Sequence, residues 1–182
     1  MLSFAAHFPD EVAGLVLIDS TAPASAPAPR SSSAGSYEPM SRVSALLSTS
    51  ARFGLTRLYA GIDYGSLPPR SRDEARSSAA TAENLRSTID EYGKASASGK
   101  EAAALQGFGH KPLFVLTAGE GRAAGWMAKQ DKLAVLSTNS VHRVVDGAAH
   151  ADLVMNERPA AATSQAILDV VSSVRSGRPL DR

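Results

Sequence analysis

His150 has the setting of a residue that moves protons. It follows an apolar run, Val141-His-Arg-Val-Val145, and a turn of small residues, Asp146-Gly-Ala-Ala149. A loop of that kind brings an imidazole to the carboxyl edge of a sheet, where open α/β sheets build their sites. There the ring can take a proton from an attacking group and return it to a leaving group. Taken alone, the same residue reads more readily as an ordinary loop histidine. The other histidines have no comparable setting: His7 falls on a helix surface, His110 in a loop before a strand, and His142 within a strand. A second chemically interesting place is the end of Val12-Ala-Gly-Leu-Val-Leu-Ile18, where Asp19 and Ser20 follow the run directly.

The elements that must position these residues are legible as hydrophobic patterns. Val12–Ile18 and Lys111–Thr117 are continuous apolar runs, the pattern of strands covered on both faces, as in a parallel sheet. Val141–Val145 reads as a third strand. Ser3–Phe8 reads as the end of a helix stopped by Pro9 and Asp10. Trp126–Leu136 and Pro159–Val174 read as helices, the latter with Ala162, Ala166, Ile167, Val170, Val171 and Val174 at helical intervals and Gly177 and Pro179 beyond its end. Trp126 itself reads as a core residue of its helix.

Between the first two strands lies a different composition. Thr21–Ser36 is Ala, Pro and Ser with Arg30 as its single charge, which is linker composition. Pro39–Tyr59 has apolar residues at helical spacing, with Phe53, Leu55 and Tyr59 able to line a pocket or seal a lid. Ser71–Ala97 reads as one polar helix after Pro68-Pro69, with Ser71-Arg-Asp-Glu74 resembling a capping box. The order is strand, helical insertion, strand, helix, strand, helix, which favours α/β architecture. The divisions are core 1–20, helical lid or cap 21–110, and core 111–182.

Composition excludes several classes of function. The 182 residues contain 19 Lys and Arg against 18 Asp and Glu, with no basic stripe, so no nucleic-acid partner is expected. No cysteine is present, which removes disulfides, thiolate metal sites and a cysteine nucleophile. No H-E-x-x-H or EF-hand spacing occurs, so no metal is expected. Gly119-x-Gly121 lacks the third glycine of a dinucleotide fingerprint, so no cofactor is expected. No apolar run approaches the ~18 residues of a membrane span, and the first residues make a poor signal peptide. The expectation is a cytoplasmic protein with no membrane partner.

Four phrases together resemble the α/β-hydrolase superfamily. "AAHFPDEVAGLVLIDS" resembles the helix after the nucleophile and the sixth strand; "KPLFVLTAG" resembles the seventh. "HRVVDGAAHADLV" resembles the eighth strand with its histidine loop, and "AILDVVSSVRSG" the closing helix. The resemblance implies a partial α/β-hydrolase fold: a short parallel sheet, flanking helices and a helical lid insertion. It implies a triad in which a serine attacks a carbonyl, His150 acts as general base, and a carboxylate orients the imidazole. In many members the acid lies three residues after a glycine that follows the seventh strand. Here Arg122 occupies that place, with Glu120 nearby as an alternative acid. In other members the acid ends the sixth strand, where this chain has Asp19, the favoured orienting acid. Asp152, two residues past His150, reads as a solvated loop residue.

The nucleophile has no candidate. The serine of this family sits in a strained G-x-S-x-G turn, and no such motif occurs in the sequence. The resemblance begins just past the place of that turn. Gly35-Ser36 and Gly65-Ser66 lack its second glycine. The expectation is a hydrolase-family chain, acting by resemblance on a small-molecule ester or related acyl substrate, but inactive by itself. The alternative is a non-catalytic α/β domain that binds a partner chain or small ligand. A sheet of three strands would expose an apolar edge on the first, inviting self-association.

Overall fold

The computed structural model describes residues 1–23, 66–79 and 81–181. Predicted features at 24–36 and over Pro39–Tyr59 lie outside these residues. In chain order the elements are α1 (Leu2–His7), a 3₁₀ turn (Pro9–Glu11), β1 (Leu15–Ile18), α2 (Pro69–Ala79), α3 (Ala82–Ala102), β2 (Leu113–Ala118), α4 (Trp126–Ala134), β3 (Ser140–Val145), α5 (Asp152–Met155) and α6 (Glu157–Ser176). The chain divides into two compact units. One comprises Met1–Ala24 and Gly99–Arg182, the other Ser25–Ser98.

The first unit is an α/β domain. Its sheet has the order β1-β2-β3, with both pairings parallel. Leu15 lies opposite Leu113 and Ile18 opposite Leu116; Leu113 lies opposite Ser140 and Ala118 opposite Val145. β2 is buried along its whole length, as continuous apolarity predicts. The first strand is shorter than the apolar run suggests. Val12 precedes it and packs into the core, and pairing begins only at Leu15.

Alternation along the strands separates two cores. Leu15, Leu17, Leu113 and Val115 face one side, where they meet Leu2 and Ala5 of α1, Phe108, and Leu133 of α4. Phe114, Leu116 and Val141 face the other, where they meet Leu153, Ala166, Val170 and Leu180. Helices thus cover both faces of the sheet. Gly14 is required by close approach: a Cβ there would meet Val170 Cγ1 at 2.7 Å.

Three helix readings are corrected. α4 ends at Ala134 rather than Leu136, and Val135 is 83% exposed. The buried stripe of α6 is Thr163, Ala166, Val170 and Ser173, while Ile167, Val171 and Val174 stay on the open side. Hydroxyls are admitted because each finds a carbonyl: Thr163 Oγ1 donates to Leu153 O at 2.7 Å, and Ser173 Oγ to Arg178 O at 2.5 Å.

The third correction lies mostly in the second unit. The single predicted polar helix is two, α2 and α3. The Thr81 hydroxyl accepts the Asn84 backbone N–H at 3.2 Å and so caps the start of α3. Ser71-Arg-Asp-Glu74 is not a capping box, because α2 already begins at Pro69, whose fixed φ suits a first helical turn. Glu74 pairs instead with Arg70 at 3.1 Å, one turn back.

Candidate functional site

The carboxyl edge of the sheet gathers three loops. Asp19 ends β1 with φ 46°, the one non-glycine residue with positive φ among those described. That left-handed backbone costs about 1 kcal/mol for an ordinary L-residue, and Asp tolerates it better than most. The Asp19 N–H stays on the ladder, donating to Leu116 O at 2.6 Å. The loop after β2 approaches the end of β3 at Gly119, where a Cβ would lie 3.0 Å from Val145 O and from Asp146 Cα. Gly119 N donates to Val145 O, and Glu120 N to Ala148 O. The turn after β3 uses Gly147 at φ 71° and buries Ala148. Asp152 Oδ2 then accepts the Ala149 N–H at 2.8 Å. Asp152, read from the sequence as merely solvated, therefore pins the backbone just ahead of His150.

These constraints bring His150 and Asp19 together. His150 Nδ1 donates to Asp19 Oδ2 at 2.7 Å across 131 positions of sequence. The imidazole is 75% exposed and the carboxylate side chain 2%. Because Nδ1 carries the donated proton, the lone pair of a neutral ring sits on Nε2, facing away from the acid. The structure sets Asp19, and not Glu120, against His150. Glu120 is exposed, and only its backbone is engaged with a described residue.

The other oxygen of Asp19 is held by residues whose roles the sequence did not disclose. Arg122 Nη1 donates to Oδ1 at 2.5 Å and Trp126 Nε1 at 3.1 Å. The guanidinium also lies 5.6 Å from the Trp126 ring centroid. Trp126 is thus a carboxylate holder as well as a packing residue. Its N–H was the available signal, since an indole donor that leaves water needs an acceptor. Burial pushes the Asp19 carboxyl upward, the largest single influence on it. The hydrogen bonds from His150, Arg122 and Trp126, with the Arg122 charge, outweigh this and hold it below the ordinary value of 3.8.

Behind this cluster runs a second polar chain. Gln130, fully buried, donates from Nε2 to Ser20 O at 2.9 Å and so fixes the Ser20–Thr21 peptide, one residue beyond Asp19. Thr117 Oγ1 lies 3.4 Å from Gln130 Oε1 and 2.9 Å from His142 Nε2, while His142 Nδ1 lies 2.8 Å from Asp131 Oδ1. One hydroxyl proton cannot serve both neighbours of Thr117, and the shorter contact favours His142 when that ring is neutral.

Comparison with protein-family models, with curated proteins and with solved structures returned no match. The site is accordingly read from its own geometry. Among the described residues no cluster of His, Asp and Glu is arranged to hold a metal ion, and no helix is long and apolar enough to cross a membrane. A cleft of about 270 Å³, lined by His110, Thr138, Asn139, Ser140, Gly177, Pro179 and Leu180, lies at the amino edge of the sheet and contains none of the cluster around Asp19.

Proposed function

We propose that Asp19 and His150 are the orienting acid and general base of a hydrolytic site for an ester or related acyl substrate. The observation that carries this reading is the 2.7 Å bond from His150 Nδ1 to a buried carboxylate, with Nε2 turned outward. In the proposed reaction, a hydroxyl attacks the acyl carbon while Nε2 takes its proton. The imidazolium so formed is stabilised by Asp19 and gives the proton to the departing alkoxide. The attacking hydroxyl is not assigned among the described residues. The resemblance to α/β-hydrolases supports the order of the elements, and in that order the segment between β1 and β2 stands where a lid is inserted. Fold alone leaves the substrate open.

The test uses a serine-directed fluorophosphonate probe and a panel of p-nitrophenyl esters. It is run on the 182 residues and on any longer form that the gene encodes. In whichever form turns over ester, His150→Ala is expected to lower turnover by about 10³-fold or more. Turnover in no form, or turnover indifferent to His150→Ala, would refute the reading.

A second reading is favoured by β1, which is an edge strand. Only one of its sides pairs with a described strand, so the backbone groups of Val16 and Ile18 have no strand partner among the described residues. A partner chain or a second copy would then supply a strand. Sedimentation across a concentration series separates the cases: a monomer throughout would remove this reading.

A further inference from the structure

We infer that Arg122 is a carboxylate-binding residue and that the substrate of the Asp19–His150 site carries a carboxylate. The substrate part of this inference rests on the hydrolytic reading; the anion binding does not. Arg122 spends one nitrogen, Nη1, on Asp19. Its Nε and Nη2 are buried and have no hydrogen-bond partner among the described residues. Charged donors left in that state are costly, and native proteins rarely keep them without a function. The two free atoms are not a random pair. Nε–H and Nη2–H point the same way along one edge of the planar guanidinium, the edge that meets both oxygens of a carboxylate at once.

The position of that edge gives it meaning. Arg122 and His150 bind opposite oxygens of one carboxylate. A ligand on the free edge would therefore share one guanidinium with the acid that orients the general base. The guanidinium is kept in plane by Asp19 on one side and by the Trp126 ring near its face. Gly121 and Gly125, both with positive φ, bracket the Arg122 loop and set its path beside Asp19. Charge supports a monoanion. Asp19 and Arg122 cancel, so formation of the imidazolium leaves the cluster with a net positive charge. A substrate carboxylate on Arg122 cancels that charge as it develops. A phosphate dianion would exceed it, with no second cation among the groups hydrogen-bonded to Asp19.

Trp126 is the chain's single tryptophan, so its emission reports on Arg122 directly. Butyrate is expected to change that emission saturably and butyramide to leave it unchanged. Arg122→Lys keeps the charge but not the fork and is expected to weaken butyrate by about tenfold or more. If that variant does not fold, the wild-type Arg122 Nε–H resonance decides: it is expected to move with butyrate and not with butyramide. His150→Ala is expected to bind butyrate as the wild type does, so loss of anion binding and loss of hydrolysis are separately visible. Equal responses to butyrate and butyramide, full affinity in Arg122→Lys, or phosphate binding more tightly than butyrate would overturn the inference.

Discussion

Two histidine–aspartate pairs stand at the same sheet and differ in which partner is buried. In His150–Asp19 the acid side chain is 2% exposed and the imidazole 75%; in His142–Asp131 the imidazole is 15% exposed and the acid 69%. The bonds themselves are nearly the same length, 2.7 and 2.8 Å. What separates them is the second ring nitrogen. Nε2 of His142 is engaged by the fully buried hydroxyl of Thr117. Nε2 of His150 faces outward, with its charge-stabilising partner anchored behind it. The comparison teaches that the hydrogen bond does not mark a site. A fixed acid with a free base suits chemistry; a fixed base with a free acid suits structure.

The largest break in this contrast should come from Arg122→Met. It leaves Asp19 buried with two donors but no permanent cation, and removing one member of a buried pair costs about 3 kcal/mol or more. Urea denaturation at neutral pH reads this directly. Acid provides the companion measurement. Because the folded Asp19 carboxyl lies below its ordinary 3.8, it adds stability above that pH. The contribution disappears as pH falls through the folded value. Between pH 5 and 2.5 the wild type should therefore lose stability more steeply than Asp19→Asn, and parallel slopes would mean that the carboxylate's partners do not stabilise it.

How far the sequence reached follows from the same residues. β2 was legible because six consecutive residues are buried and the run is continuous in the chain. His150 was legible because a strand and a small-residue turn precede it locally. Asp19 was named as a strand-end acid only through the hydrolase resemblance. Arg122 and Trp126 could not be assigned, because their work is to meet a carboxylate more than a hundred positions away, and no local period encodes such a meeting. The buried face of α6 was legible only in part, at Ala166 and Val170, for a related reason. Apolarity points to Ile167, Val171 and Val174, but the space beneath the helix takes small hydroxyls that carbonyls elsewhere in the chain satisfy.

A smaller break belongs to the structural pair. Thr117→Val keeps the shape of the side chain and removes its hydroxyl. His142 Nε2, on a side chain that is largely buried, then loses its partner. Leaving such a group unsatisfied costs about 1–3 kcal/mol. The loss should appear in the denaturation midpoint, with butyrate binding at Arg122 unchanged if the two pairs are independent. Weakened butyrate binding would instead show that Gln130, through Ser20, transmits the change to Asp19.

The smallest effect, and the sharpest control, is Asp131→Asn. An asparagine oxygen can still accept from His142 Nδ1, so what is lost is a charge that already faces water. A solvent-facing carboxylate in such a pair contributes about 0–1 kcal/mol, and salt screens its charge further. The variant should unfold within about 1 kcal/mol of the wild type, and the difference should shrink in high salt. A cost matching that of Arg122→Met would mean that burial of the acid is not what distinguishes the two pairs. In that event the outward Nε2 of His150 would be the sole remaining reason to place chemistry at one pair and not at the other.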